Sequence, residues 1–463
     1  MTRNRAYRCP FSGQYLNRHD TWADSAKAWT DYLSRTAYML QQGRYHADIA
    51  YFYGEETPLS VMFSAALPTE IPRGYGYDFV NADAILTQLS VEDGCIVTSS
   101  GMRYRLLYLG GTSKRMTLPV LKKLQALVDA GGVVVGDKPV SSPSLADDEA
   151  EFDRIAAQLW GTGDARSGLR KAYGEGLVFT GTDIDVALTQ LQIAKDFDYS
   201  AATPDTNIVF NHRVLPGAEL YFVSNQSDRA ESVEALFRVR GKRAELWHAD
   251  DGGIEDVSYR FVDGRTVVPL NLAPFESVFV VFREDTQLDS LQLVQPEAAV
   301  VAQLDSDWQL SFAPHGKALT RIENLAIGSW SEHTNADLKY FAGTATYSRE
   351  FDVPGGWLEA GDTFVLELGD VRELAEVVVN SQSLGTLWTP PYRVDITRAL
   401  RKGPNVITVK VTNLWVNQLI GDQRPGREGT SVTSTPTYLP GASLRPSGLI
   451  GPVNIERLST PKQ

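Results

Sequence analysis

Three groups of residues in this sequence have the types and spacing to do chemistry. Carboxylates on loops can move protons in general acid–base catalysis, and the candidates placed that way are Asp20, Glu55 and Glu56. Aromatic side chains beside polar ones can take a sugar, the ring faces stacking on apolar C–H groups and the polar groups bonding hydroxyls. Trp388, Tyr392, Trp415 and Tyr438 fit that role, with Arg393, Asp395, Asn417 and Asp422 as polar companions. Carboxylate and amide oxygens also suit a hard cation such as calcium. Asp370, Asp395, Asn413 and Asp422 could supply them. Each group has an ordinary reading too. Asp20 can cap a helix, one of Glu55 and Glu56 can be solvated, and Trp388 and Trp415 can plug a core. Asp395 can cap the turn at Ile396-Thr397. Arg393 and Asp395, two apart on a strand, share a face and can pair with each other.

The elements that must position these residues follow from periodicity. Trp22, Ala26, Trp29, Leu33, Ala37 and Leu40 recur at helical spacing, which predicts an amphipathic helix over residues 22–42. Asp20 and Thr21 offer capping oxygens and Gly43 ends it. Residues 47–53 form an apolar strand that leads into Glu55 and Glu56, and ligand-facing loops of α/β sheets lie just past such strands. A helix at 82–89, a strand at 104–109, a helix at 118–130, a strand at 133–136 and a helix at 149–160 predict an α/β layer with a mostly parallel sheet. No nucleophile elbow or dinucleotide loop occurs there, so the layer reads as structural. Strand-like runs from 210 to 285, with Asp-Gly turns at 251–252 and 263–264, predict a β-sandwich. Residues 293–304 read as a linker. Beyond it, Val406, Thr408 and Lys410 alternate with Ile407, Val409 and Val411, and Asn380-Ser381 and Lys402-Gly403-Pro404 supply turns. This C-terminal stretch predicts a jelly roll.

Composition narrows the function classes. With 43% hydrophobic and 22% charged residues the chain is globular. A net charge of -13 disfavours nucleic acid, whose phosphates need a basic surface. No apolar run is long enough to span a bilayer, and residues 1–11 lack the apolar core of a secretory signal. The sequence assigns no compartment. The two cysteines, Cys9 and Cys95, make neither a disulfide framework nor a metal-ligand spacing and read as free buried thiols. The six histidines are scattered, which disfavours a catalytic zinc.

The order of C-terminal motifs resembles a known module. Val379-Asn380-Ser381-Gln382, Leu384-Gly385-Thr386-Leu387-Trp388, Pro390-Pro391-Tyr392-Arg393-Val394-Asp395-Ile396-Thr397 and Asn405-Val406-Ile407-Thr408-Val409 are similar to the sugar-binding domain of family 2 glycosidases. Asn413-Leu414-Trp415-Val416-Asn417-Gln418-Leu419 and Ser447-Gly448-Leu449-Ile450-Gly451-Pro452-Val453 resemble the end of α-L-rhamnosidases of glycoside hydrolase family 106. Gly13-Gln14-Tyr15-Leu16-Asn17-Arg18-His19-Asp20-Thr21-Trp22 resembles the last loop of that family's catalytic barrel, with the following helix as its last helix. It departs at Trp22-Ala23, where the family often has two tryptophans, and at His19-Asp20, where it often has Asn-Asn.

The resemblance implies a multidomain α/β plus all-β fold: a (β/α)8 barrel end (1–45), an amidotransferase-like α/β domain (46–165), a β-sandwich (166–292) and a galactose-binding-like jelly roll (293–463). It implies hydrolysis of terminal α-L-rhamnose with inversion, for which two carboxyls stand about 6.5–9.5 Å apart. It also implies substrate contacts at Asn17, Arg18 and His19, and a calcium ion for which Asp395 and Asp422 are the candidate ligands. The acid and base carboxylates would lie on barrel strands upstream of Met1, with no organic cofactor. The rival expectation is a non-catalytic carbohydrate-binding or scaffold protein that docks on a separate catalytic barrel.

Overall fold

The computed structural model describes residues 4–5, 16–56, 70–162, 169–314, 317–358, 361–425, 431–432, 438–439 and 441–459. Cys9, residues 13–15 and the start of the basic N-terminal stretch lie outside them. The chain divides into two units, Met1–Ala37 with Ala249–Gly253 and Leu293–Gln463, and Tyr38–His248 with Ile254–Gln292. No helix among the described residues is long and apolar enough to cross a membrane.

The α/β layer of the second unit is built on five parallel strands. Across the sheet they run Gly176–Thr180, Val133–Val135, Leu106–Leu109, Ile49–Phe52, Tyr77–Val80, and Leu169–Tyr173 pairs antiparallel at one edge. All four residues of Ile49–Phe52 are buried, as a strand covered on both faces requires. Alternate side chains feed two apolar clusters. Ala50 and Phe52 join one that includes the helices Leu118–Asp129 and Glu149–Trp160, and Ile49 and Tyr51 join one that includes the helix Ile184–Gln190. Asn81 caps the helix Ala82–Gln88 through Ala84 N at 2.8 Å, and Asp148 caps Glu149–Trp160 through Glu151 N at 3.0 Å. The helices expected over 82–89, 118–130 and 149–160 are all present. The sheet, however, continues through Gly176–Thr180, so the break expected at 165/166 falls inside it.

Besides a small three-stranded sheet over Leu89–Glu92, Cys95–Thr98 and Arg103–Tyr104, this unit holds two larger antiparallel sheets around one core. Five strands, from Phe197–Ala201 to Ser290–Leu291, face six that include Ala218–Asn225 and Ser277–Asp285. Phe197, Tyr221, Phe237 and Phe282 fill the space they share. Asp263 and Gly264 take φ of 48° and 77° and join Val262 to its partner Arg265, a two-residue turn of the primed kind. Strand Arg44–Tyr45 adds to the edge of the six-stranded sheet beside Ile208–Leu215, so these two residues belong here rather than to a barrel end.

In the first unit, four strands (Glu297–Gln303, Asn454–Ser459, Thr363–Glu367, Arg393–Asp395) and six (Thr320–Leu325, Trp308–Phe312, Thr344–Val353, Gly403–Thr412, Leu374–Val379, Gln382–Leu387) enclose a core with Trp308, Trp330 and Tyr347. Ile407, Val409 and Val411 point into it, as the alternation predicts. Asn380 and Ser381 turn at φ 49° and 71° between Val379 and its partner Gln382. The stretch expected as a linker, 293–304, is instead strand Glu297–Gln303, paired along Asn454–Ser459. Its Ala-Val run lacks strict alternation because it lies at a sheet edge and is mostly exposed.

The N-terminal helix is shorter than its periodicity suggests. A 3-10 turn, Ala23–Ser25, precedes helix Lys27–Leu40, and Gly43 follows at φ 57°. Neither expected cap is used. An Asp20 carboxylate oxygen accepts from Asn17 N at 2.9 Å, and the Thr21 hydroxyl donates to the carbonyl of Asn413.

Candidate functional site

The carboxylates read as candidate acids and bases are committed to local structure. Glu55 receives Thr117 N at 2.6 Å and the Thr117 hydroxyl at 3.1 Å, so it caps helix Leu118–Asp129 from a distant loop. Thr117 occupies the N-cap position without a side-chain cap of its own, which explains the arrangement. Glu56 pairs with Arg115 at 2.9 Å. Asp20 closes a local turn with Asn17, and Asn17 Oδ1 in turn receives His19 N at 2.8 Å. Arg18 is exposed.

The aromatic and polar residues of the C-terminal β region are held by the chain itself. Trp388 and Trp415 are half-buried rather than core plugs. The Trp388 ring lies 5.2 Å from that of Tyr32, and Trp415 Nε1 donates to His19 O at 2.8 Å. The expected loop residues and the expected sugar-binding residues therefore meet, but through hydrogen bonds and rings that fold the unit. Tyr392 is buried and donates to Glu373 O at 2.8 Å; burial, with Glu373 beside it, pushes its hydroxyl up to about 12. Arg393 bridges Glu367 at 3.0 Å and Glu456 at 2.7 Å, not Asp395. Asn417 is buried and clasps Arg445, receiving its N–H and donating to its carbonyl, both at 2.8 Å. Tyr438 is half-buried.

The oxygens expected to hold calcium are engaged by the chain itself. Asp395 Oδ1 accepts from Thr397 N at 2.8 Å, the turn cap foreseen as its alternative. Asp422 accepts from Ser431 N at 3.0 Å and Gln418 Nε2 at 2.8 Å. Among the described residues, neither joins a group of three His, Cys, Asp or Glu side chains close enough to share an ion.

One such group does exist, in the second unit: His46, Asp196 and His212. Its geometry is that of an ion network. His212 Nδ1 lies 2.9 Å from Asp196 Oδ2 and its Nε2 lies 2.7 Å from Glu219 Oε2. With a carboxylate on each side both nitrogens are donors, and an imidazolium has no lone pair for a metal. Arg238 donates to His46 Nε2 at 2.5 Å and to Asp48 at 3.0 Å. Tyr221 donates to Asp196 Oδ1 at 2.8 Å, and its ring stacks on His212 at 3.9 Å. Burial alone would lower the His212 pKa; the bonds and charges of Asp196 and Glu219 outweigh it and raise the pKa above 6.5. Burial would raise Asp196, and the bond and charge of His212, with Arg238, hold it below 3.8. No local motif signals this network, because Asp196, His212, Glu219 and Arg238 come from separate strands or strand ends that only the folded sheets bring together.

The same unit has a cavity of about 780 Å³ at the carboxyl ends of the parallel strands. Tyr108 reaches it from within Leu106–Leu109, Ser113 and Lys114 from beyond that strand, Asp137 from beyond Val133–Val135, and Thr182 and Asp183 from beyond Gly176–Thr180. Glu70 completes an acidic rim, and Lys114 is paired with Asp137 at 3.4 Å. Gly111, at φ 55°, lets the loop approach: a Cβ there would meet Tyr53 O at 2.4 Å. Polar hydroxyls with acidic neighbours suit a neutral or cationic polyhydroxy ligand better than a phosphate.

The family model described as alpha-L-rhamnosidase, glycoside hydrolase family 106, matches residues 7–261. The model described as glycosyl hydrolase 2 galactose-binding domain-like matches residues 322–438. A solved rhamnosidase from Novosphingobium sp. PP1Y is 40% identical over 99% of this chain, with a TM-score of 0.89. A protein of Formosa agariphila named, provisionally, a beta-glucuronidase is 24% identical over 97% of this chain. This chain spans 43% of the first relative's length and 58% of the second's.

Proposed function

Because this chain belongs to the α-L-rhamnosidase family, glycoside hydrolase family 106, we propose that it forms part of a glycosidase that releases terminal α-L-rhamnose from glycosides by inversion. The observation that carries the reading is the similarity to a rhamnosidase at 40% identity along 99% of the chain. The engagement of Glu55, Glu56 and Asp20 in caps, turns and an ion pair supports a division of labour. In it, the acid and base carboxylates lie in the portion of the relatives that this chain does not cover. This chain supplies an amidotransferase-like α/β layer, a β-sandwich and a galactose-binding-like jelly roll, with residues 16–40 as the end of the catalytic barrel.

A second reading, a carbohydrate-binding or scaffold chain docking on a separate barrel, has one observation in its favour. Helix Lys27–Leu40 is amphipathic, yet none of its residues is fully buried, and Leu33 is 41% and Tyr38 66% exposed. The two readings share a partner surface and differ in whether it is joined covalently.

The test is hydrolysis of a chromogenic α-L-rhamnoside by the purified chain, beside the double variant Glu55→Ala, Glu56→Ala. The reading expects no turnover from either folded protein. Turnover that the double variant loses would place the active site in this chain.

A further inference from the structure

A second cavity, of about 400 Å³, opens at the amino ends of strands Ile49–Phe52 and Leu106–Leu109. Its volume is in the range of small-molecule clefts, about 300–1,000 Å³. Its walls include Arg44, Arg103, Arg105, Arg238, His46 and Cys95. Four guanidiniums on one cavity stand out in a chain of net charge -13.

The partners of those cations decide what the cavity can hold. Arg238 is balanced by Asp48 at 3.0 Å and Asp196 at 3.5 Å. Arg103 lies 3.4 Å from Glu92 and 3.8 Å from Asp93. Arg44 donates to the carbonyl of Gly101 and has no ion pair among the described residues. The Arg105 side chain makes no hydrogen bond or ion pair among them, while its backbone N–H is fixed on Asp48 O at 2.7 Å. Two guanidiniums thus face the cavity with no carboxylate to neutralise them. An arginine fork matches the paired oxygens of a carboxylate, sulfate or phosphate. Asp48, the cavity's own carboxylate, is already bound by Arg238.

We infer that this cavity is an oxyanion-binding site for a small carboxylated, sulfated or phosphorylated ligand, with Arg44 and Arg105 as its principal donors. The site lies within one unit and is independent of the glycosidase reading.

Calorimetry with the full chain tests it, using D-glucuronate, inorganic sulfate and inorganic phosphate as probes and D-glucose as the neutral counterpart of glucuronate. At least one oxyanion should bind and glucose should not; which one binds distinguishes planar from tetrahedral recognition. Affinity should fall as salt rises. Arg105→Gln and Arg44→Gln should each weaken binding about tenfold, the loss of one charge-assisted bond. Arg105 is exposed, so its variant should fold as the parent does. Half-buried Cys95 on the cavity wall gives a readout in the unaltered protein. The bound anion should slow its alkylation by iodoacetamide, followed on its own peptide. Absence of binding by all three anions would overturn the inference. So would binding that both variants leave unchanged, or binding without protection of Cys95.

Discussion

The two ends of the parallel sheet carry opposite chemistry. At the carboxyl ends, Glu70, Asp137 and Asp183 line the larger cavity, and Lys114 on its wall is paired with Asp137. At the amino ends, Arg44 and Arg105 line a smaller cavity where Asp48, its only carboxylate among the described residues, is already held. Backbone polarity alone points the other way. The strand order reverses between Ile49–Phe52 and Leu106–Leu109, and helix N-termini beyond the carboxyl ends of such strands favour anions. Here the side chains reverse that preference. The lesson is that the sheet order locates clefts, and the charged residues on the loops decide what each can take.

The buried network beside the arginine cavity offers the strongest way to break this contrast. Arg238 belongs to both. Asp196→Ala leaves buried His212 and half-buried Arg238 without their shared carboxylate. It should cost about 3–5 kcal/mol of stability, read by urea denaturation. A loss under 1 kcal/mol would show that the charges are solvated, and the cavity floor is not the fixed cationic surface described here.

The pH dependence should have two limbs. The folded pKa of His212 is raised, so its contribution is complete below 6.5 and is lost as pH rises through the folded value. Asp196 is depressed, so its contribution is complete above 3.8 and is lost as pH falls through its folded value. Melting temperature against pH should show a plateau between these limbs, with the alkaline fall reduced in His212→Gln. An unchanged alkaline fall in that variant would assign it to another group.

A smaller effect separates structural from catalytic carboxylates at the sheet's carboxyl end. Glu55→Ala removes the cap from Thr117 and should cost about 1 kcal/mol by thermal unfolding. Smallest of all, Arg105→Gln should change stability by less than about 0.5 kcal/mol while weakening oxyanion binding. A larger loss would mean that Arg105 supports the fold. Addition of a chelator should leave the melting temperature unchanged, since Asp395 and Asp422 hold backbone N–H groups.

The alternating strands and the capped helices of the α/β layer were legible in the sequence because their signals are local. Helix Glu149–Trp160 and the turns at Asn380-Ser381 and Asp263-Gly264 need only neighbouring residues to specify them. Strand Glu297–Gln303 was not legible, because an exposed edge strand has no inward face to impose a period. Leu169–Tyr173 and Gly176–Thr180 form a local hairpin, but its place in the parallel sheet rests on the pairing of Leu177–Phe179 with Val133–Val135, far away in sequence. Site residues fail for the same reason. Trp388, Arg393 and Asn417 have the right types for a ligand, and nothing in their spacing reveals Tyr32, Glu456 or Arg445 as their partners. Arg44 and Arg105, far apart in sequence and on elements of different sheets, share a cavity only in the folded chain.

The proposed division of labour makes this chain the non-hydrolytic portion of a rhamnosidase-family protein. It is tested most directly by mixing the purified chain with the separately produced portion of the Novosphingobium rhamnosidase that this chain does not cover. Chromogenic α-L-rhamnoside and β-D-glucuronide serve as substrates. The account predicts no turnover by the chain alone and rhamnoside hydrolysis by the mixture, with the glucuronide untouched. Rhamnoside hydrolysis by the chain alone, or glucuronide hydrolysis by the mixture, would contradict it.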